Sequence, residues 1–441
     1  MPADRRAGEV RGVVGAGVLV ESFERRDGVV HAEDVSLAAI AREVGTPTFV
    51  YSAGHVRARA AALTGALAGT RHRIHYSLKA NACRALLVQL QAAGCGADVV
   101  SGGELFRAVR AGFAARDIVF GGVGKTPREI HEGVTAGVKL LNVESLAELE
   151  GVDYIARATG TRVSVGLRIN PEVDVESAHD FIKTGERGHK FGIPLDDAAA
   201  VVRAALQLRH VQLRGIGMHV GSQLRTLDAH RSGAERLLGV VEDARAAGAS
   251  DLACLDLGGG LPVRYDDEDE ADVEGFGAIA RGVAERCGLE VLVEPGRFLV
   301  ANSGVLLTRV LYRKRNGGTE YVIVDAGMTE LLRPSHYDAY HRIEVVGERE
   351  GSIVADVVGP VCESGDFLAR GRALPDVRPG DLLAVHSAGA YGFVMASHYN
   401  ARPRVGEVLV EGDRFAVATD REVYADLVRH ERAHLEWRTL P

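Results

Sequence analysis

Residues 255–260 read Leu255-Asp256-Leu257-Gly258-Gly259-Gly260, a short apolar strand that runs straight into three glycines. Farther along, Val291-Leu292-Val293-Glu294-Pro295-Gly296-Arg297 repeats the plan, with a carboxylate and a Pro-Gly turn where the strand stops. Upstream, Ile74-His75-Tyr76-Ser77-Leu78-Lys79 ends in a lysine, and the run at 212–219 ends in His219. Eight such runs can be placed, at 74–79, 97–100, 117–121, 139–143, 163–169, 212–219, 252–257 and 291–294. Amphipathic helical stretches lie between them, for example 102–111, 145–159 and 196–208, the last opening on an Asp at a cap position. Strand alternating with helix in that count predicts an α/β fold, a closed (β/α)₈ barrel rather than an open doubly wound sheet. No GxGxxG follows the first strand. In such a barrel the chemistry gathers at the carboxyl ends of the strands, with phosphate held after strands seven and eight.

After about Asn302 the texture changes. Runs at 305–312, 321–325, 343–346, 353–358, 381–385, 405–410 and 414–418 read as strands joined by turns, with helical patterning only at 420–429. This predicts a C-terminal β domain. The N-terminal strands at 18–20 and 29–31 are too few for a sheet of their own. They are expected to join the C-terminal one, so that the barrel is an insertion in a single β domain. The expected divisions are 1–45, 46–300 and 301–441.

Composition excludes several classes. The net charge of −8, with 52 Lys and Arg scattered along the chain, does not make the basic stripe that nucleic acid requires. The five cysteines, Cys83, Cys95, Cys254, Cys287 and Cys362, are odd in number and form no CxxC. Neither a disulfide framework nor a metal site is indicated, and a reducing cytosolic compartment is expected. The opening MPADRRAGEVRG has no apolar core of a secretory signal, and no apolar run is long enough to span a membrane.

The strand ends carry the chemistry. Lys79 sits where a strand would otherwise be buried, so its ammonium must reach the rim or a partner. It is read either as a lysine reaching the barrel mouth or as a Schiff-base amine of lowered pKa. Three glycines after strand seven leave backbone N–H groups free to converge on an anion, and Ser222 offers a hydroxyl to the same group. Glu294 either pairs with Arg297 or hydrogen-bonds a pyridine nitrogen, and His219 has a flat face to cover a ring. Asp98 and Arg168 are supporting charges. A lysine, a ring-stacking histidine, a phosphate loop and a carboxylate at one rim together suggest a pyridoxal 5'-phosphate (PLP) site. In the β domain, Cys362-Glu363-Ser364-Gly365-Asp366 puts a thiol in a polar turn, where it could act as an acid for a site on another subunit. Tyr391 stands between small residues in Ala388-Gly389-Ala390-Tyr391-Gly392, and Arg333 offers a planar donor for a distal carboxylate.

Taken together these segments resemble the fold-type III PLP-dependent decarboxylases, and within them the diaminopimelate decarboxylase branch. The resemblance runs from about residue 30 to residue 428. The barrel motifs, among them Tyr76-Ser77-Leu78-Lys79-Ala80-Asn81 and His219-Val220-Gly221-Ser222-Gln223, mark the superfamily. Those of the β domain mark the branch: Arg333-Pro334-Ser335, Gly359-Pro360-Val361-Cys362-Glu363-Ser364-Gly365-Asp366 and Ala390-Tyr391-Gly392-Phe393. The resemblance implies a cytoplasmic homodimer with two shared active sites. Lys79 would hold PLP; Gly258, Gly259, Gly260, Ser222 and the Pro295-Gly296-Arg297 turn would take its phosphate. Glu294 would face the pyridinium, with His219 on the ring and Asp98 nearby. Cys362 of the partner would return a proton after CO₂ leaves. Arg297, Arg333 and Tyr337 would bind the far end of the substrate, Glu363 its distal ammonium, and Tyr391 both substrate and cofactor.

The implied reaction is decarboxylation of meso-2,6-diaminopimelate to L-lysine. The alternatives are a relative acting on ornithine, arginine or a secondary-metabolite precursor, a non-catalytic PLP carrier, and an alanine racemase-like enzyme. His336, His398 and Lys183 depart from the usual pattern, and none is a residue assigned to catalysis.

Overall fold

The computed structural model describes residues 22–173 and 188–439. Lys183 and the strand expected at 18–20 lie outside them. Eight parallel strands, His72–Ser77, Gly96–Val99, Ile118–Phe120, Leu140–Val143, Val163–Asn170, Val211–Gly217, Cys254–Asp256 and Glu290–Val293, pair in order. The fourth pairs with the fifth and the eighth with the first, which closes the barrel. Its strands are almost wholly buried because helices pack outside and side chains fill the inside. Several strands stop short of the chemistry. Lys79 lies in a single 3₁₀ turn, Leu78–Ala80, and His219 two residues past Gly217. The expected Asp cap of the helix Ala198–Gln207 also differs: Asp197 precedes it and makes no side-chain capping bond.

The β domain is a second sheet. Its strand order is Phe367–Leu374, Ile353–Val358, Thr319–Val324, Gly304–Asn316, Thr48–Ser52, Gly406–Glu411, Arg414–Thr419, with Leu382–Val385 and Ile343–Val345 branching from Gly304–Asn316. Two expectations are corrected here. The strand that enters this sheet from the N-terminal side is Thr48–Ser52, which the expected boundary at 45/46 assigned to the barrel. It is fully buried, antiparallel to Gly304–Asn316 and parallel to Gly406–Glu411. The hairpin strands Phe23–Arg26, Val29–Ala32 and Val35–Ser36 do form a small sheet of their own. Three strands suffice because Phe23, Val30 and Val35 pack on Val305, Leu307 and Ala384 of the larger sheet.

Where the two domains meet, the chain crosses back over the barrel mouth. Asn81 Nδ2 donates to the Gly389 carbonyl at 2.9 Å, and the Tyr391 N–H to the Ala80 carbonyl at 2.8 Å. Close approach explains the small residues: a Cβ on Gly389 would collide with the Val300 carbonyl. Tyr391 itself takes φ 57°, an uncommon conformation for a non-glycine residue.

Candidate active site

A cavity of about 600 Å³ opens at the carboxyl ends of the barrel strands, under the edge of the β domain. Lys79, Arg168, His219, Ser222, Arg297, Arg333, Tyr337 and Tyr391 line it. The barrel's first, fifth, sixth and eighth strands and the two β-domain loops thus converge on one space.

At its floor stands a group of carboxylates. Lys79 Nζ lies 3.8 Å from Asp98 Oδ2, which also accepts from the Ser77 hydroxyl at 2.6 Å. Burial pulls the Lys79 amine down, but the charges of Asp98, Tyr391 and Glu294 outweigh it and leave its pKa raised. Of the two sequence readings of Lys79, the Schiff-base one expected a lowered amine; the carboxylates brought in by neighbouring strands reverse the sign. Asp256 is fully enclosed, and burial first, then the neighbouring Asp98, pushes it up to about 6. Glu294 is pushed well above the carboxylate range by burial and by the charges of Asp256 and Asp98. Asp256 Oδ1 accepts the Gly258 N–H at 2.8 Å, whereas its Oδ2 has no hydrogen-bond partner among the described residues.

His219 is held on the glycine loop. The Gly259 N–H donates to its Nδ1 at 3.2 Å, which leaves the ring proton on Nε2. Burial, then the charges of Lys79 and Arg168, keeps its pKa well below 6.5, so the imidazole is neutral at pH 7. The loop leaves no room for side chains: a Cβ on Gly258 would lie 2.5 Å from the Met218 carbonyl, and one on Gly260 2.6 Å from that of Gly221. Ser222 accepts from Arg297 Nη2 at 3.1 Å, and Arg297 lies over the Tyr391 ring at 4.9 Å. Arg168 donates to Glu144 at 3.1 Å and rests on Phe191.

The sequence reading missed Tyr265 and His341. Tyr265 accepts from Arg297 Nη1 at 2.6 Å, and His341 Nε2 accepts from Arg333 Nη1 at 3.0 Å. Their only signals were proximity to the glycine loop and to Arg333. Two expected site residues are not brought in. Cys362 and Glu363 do not line the cavity; both are exposed, on the turn before Phe367–Leu374. The Cys362 N–H donates to Asn400 Oδ1 at 2.8 Å. Of the departures, His336 stacks edge-on against Tyr337 at 4.5 Å, and His398 hydrogen-bonds Glu422 on the surface.

Residues 53–301 match the family profile of the pyridoxal-dependent decarboxylase, pyridoxal binding domain. A lysine amine among carboxylates, beneath a barrel mouth with a bare glycine loop, is the site that class requires, and the chain belongs to the pyridoxal-dependent decarboxylases. Relatives narrow the group. The chain is 43% identical over 414 residues to diaminopimelate decarboxylase of Pseudomonas fluorescens, covering 93% of this chain and 99% of that one. It is 44% identical over 416 residues to that of Pseudomonas aeruginosa, with 93% and 99% covered. The crystal structure of diaminopimelate decarboxylase from Helicobacter pylori complexed with L-lysine superposes with a TM-score of 0.86 at 36% identity, covering 89% of this chain and 98% of that one. Within its class the chain is a member of the diaminopimelate decarboxylase family.

The cofactor of this class is PLP, and the donor set fits it. Asp98, Asp256 and Glu294 make three buried carboxylates around the single Lys79 amine, with Asp256 and Glu294 raised by burial and by neighbouring carboxylate charge. A protonated pyridine nitrogen would add the positive charge that this acidic floor favours. Arg297, Ser222 and the glycine N–H groups form the cationic and donor wall that a phosphate needs.

Proposed function

We propose that the chain decarboxylates meso-2,6-diaminopimelate to L-lysine and CO₂. One observation carries this reading: the cavity that holds Lys79 is also lined by two buried arginines, Arg297 and Arg333, which are bridged by Tyr265 and form no ion pair among the described residues. A substrate ending in an ammonium or guanidinium, such as ornithine or arginine, meets two positive charges there. A distal carboxylate meets two planar donors. Rejection by an unmatched buried charge is stronger than rejection by a missing methylene.

Lys79 would hold PLP, and Gly258, Gly259, Gly260, Ser222 and the Gly296-Arg297 turn would bind its phosphate. When bound, PLP supplies an electron sink for the pair left behind as CO₂ departs. Glu294 would hydrogen-bond the pyridine nitrogen, and Asp256 is its neighbouring carboxylate. The neutral His219 ring would cover the cofactor ring without adding charge, and Asp98 positions the Lys79 amine. Tyr391 closes the mouth, its backbone fixed to Ala80. Arg297, Arg333 and Tyr337 hold the distal end of the substrate.

A proton must then return to Cα. Cys362 is the donor we assign, with Glu363 for the distal ammonium. Both are exposed and away from the cavity of their own chain, so we place them in the site of a second copy, in a homodimer with shared sites. Its five unpaired thiols favour a reducing, cytoplasmic setting. Among the described residues no helix is long and apolar enough to cross a membrane.

The experiment is CO₂ release from the PLP-loaded protein with diaminopimelate, L-lysine, L-ornithine and L-arginine. Release from diaminopimelate alone is expected. Release from ornithine or arginine, with diaminopimelate inert, overturns the reading.

A further inference from the structure

Tyr265 stands between two cations that come from different domains. Arg297 follows the last barrel strand and donates through Nη1 to the Tyr265 oxygen at 2.6 Å. Arg333 belongs to the β domain, and its guanidinium carbon sits 4.8 Å from the centre of the Tyr265 ring. All three residues line the same cavity, and both arginines are less than a tenth exposed. Neither arginine forms an ion pair with a carboxylate among the described residues. Arg333 is fixed from behind by His341, whose Nε2 accepts from it at 3.0 Å while Nδ1 donates to the His386 carbonyl at 2.8 Å. Two like charges in a buried site repel each other, so something must hold them at a set spacing.

We propose that Tyr265 is the positioning residue of the distal subsite: its hydroxyl fixes Arg297, its ring face seats Arg333, and together they set the two guanidiniums for one carboxylate. This rests on the reading that these arginines bind the distal carboxylate of the substrate. The phenol has the chemistry for the task. Burial alone would raise its pKa, yet the charges and hydrogen bonds of Arg297 and Arg333 outweigh burial and lower it, so both guanidiniums bear on this one phenol. A carboxylate in its place would neutralise an arginine outright and compete with the substrate; a phenol orients the guanidinium and leaves its charge available. The ring adds a cation–π seat that a serine or threonine lacks.

Tyr265→Phe keeps the ring and removes only the oxygen. The product L-lysine retains the distal carboxylate of diaminopimelate, whereas 1,5-diaminopentane has the same carbon chain without it. Titration calorimetry of both ligands against PLP-loaded wild type and Tyr265→Phe therefore reads the subsite without turnover. The expected result is L-lysine binding weakened about tenfold, as for loss of a hydrogen bond to a charged group, with 1,5-diaminopentane binding unchanged. In steady state, KM for diaminopimelate rises by a similar factor and kcat changes by less than about threefold. Unaltered L-lysine binding overturns the proposal, as does an equal loss for both ligands, which would mark general loosening. If wild type binds L-lysine but releases no CO₂ from diaminopimelate, the functional reading fails, while the calorimetric comparison still decides Tyr265.

Discussion

At the scale of single residues, the site is a set of charges whose values depend on neighbours from other strands. Lys79 alone in a buried strand would be a depressed amine; with Asp98 at 3.8 Å it is a raised one. That reversal was not legible in the sequence, because Lys79, in the turn after the first barrel strand, meets Asp98 of the second strand only through the barrel's strand pairing. Lys79, His219 and Glu294 were legible as residues, since each interrupts the end of an apolar run where burial forbids an idle polar group. Tyr265 was not, because it sits in a loop without periodicity, and its meaning comes from two arginines converging on it in space. Cys362 supplies a test at this scale. Cys362→Ala is expected to retain the cofactor absorbance band while kcat falls by about 10²-fold or more, the usual weight of a positioned acid. Normal turnover removes Cys362 from the reaction.

At the scale of elements, the barrel strands were readable because apolar runs of four to eight residues alternate with amphipathic helices. Thr48–Ser52 was not read as a strand, and the expected boundary at 45/46 left it with the barrel. It is wholly buried and leads into the helix Ala53–Ala66, so its pattern is that of a barrel unit. The strand Phe367–Leu374 was missed because its sequence, FLARGRAL, is interrupted by Arg370-Gly371-Arg372. It lies at the edge of its sheet, where one flank needs no apolar cover. The seam between domains offers a prediction. Gly389→Ala must move the Val300 carbonyl, and a loss of roughly 2–3 kcal/mol of stability is expected, read by denaturant unfolding. The helix Gly102–Ala111 offers another. Its first-turn Glu104 accepts the Val100 N–H at 2.8 Å, yet burial pushes its pKa up to about 7. The folded state therefore holds a proton that the unfolded chain releases near its ordinary value of 4.5. Glu104's contribution is fully present below about pH 4.5 and is lost as the pH rises towards 7, up to about 3 kcal/mol. Glu104→Gln should flatten the decline in melting temperature between pH 5 and pH 7; an unchanged slope assigns the decline to other groups.

At the scale of the whole molecule, the proposed reaction draws on two copies, because Cys362 is exposed and does not line the cavity that holds Lys79. Two inactive variants test this. Lys79→Ala lacks the amine and Cys362→Ala the thiol, and a mixed dimer restores one intact site. Co-refolding them in equal amounts should recover about a quarter of wild-type activity if subunits pair at random. No recovery confines each site to its own chain. The sheet that carries the thiol has a further property. Its interior strand Thr48–Ser52 is flanked by Gly304–Asn316 and Gly406–Glu411. One neighbour is therefore translated about 250 residues later and the other about 350, with the entire barrel between them. On the ribosome, at about 5–20 residues per second, that apolar strand waits tens of seconds for its first partner. A transcript truncated before Gly406 would yield a barrel with an unfinished, sticky sheet attached, a target for chaperones and proteases rather than a smaller working enzyme.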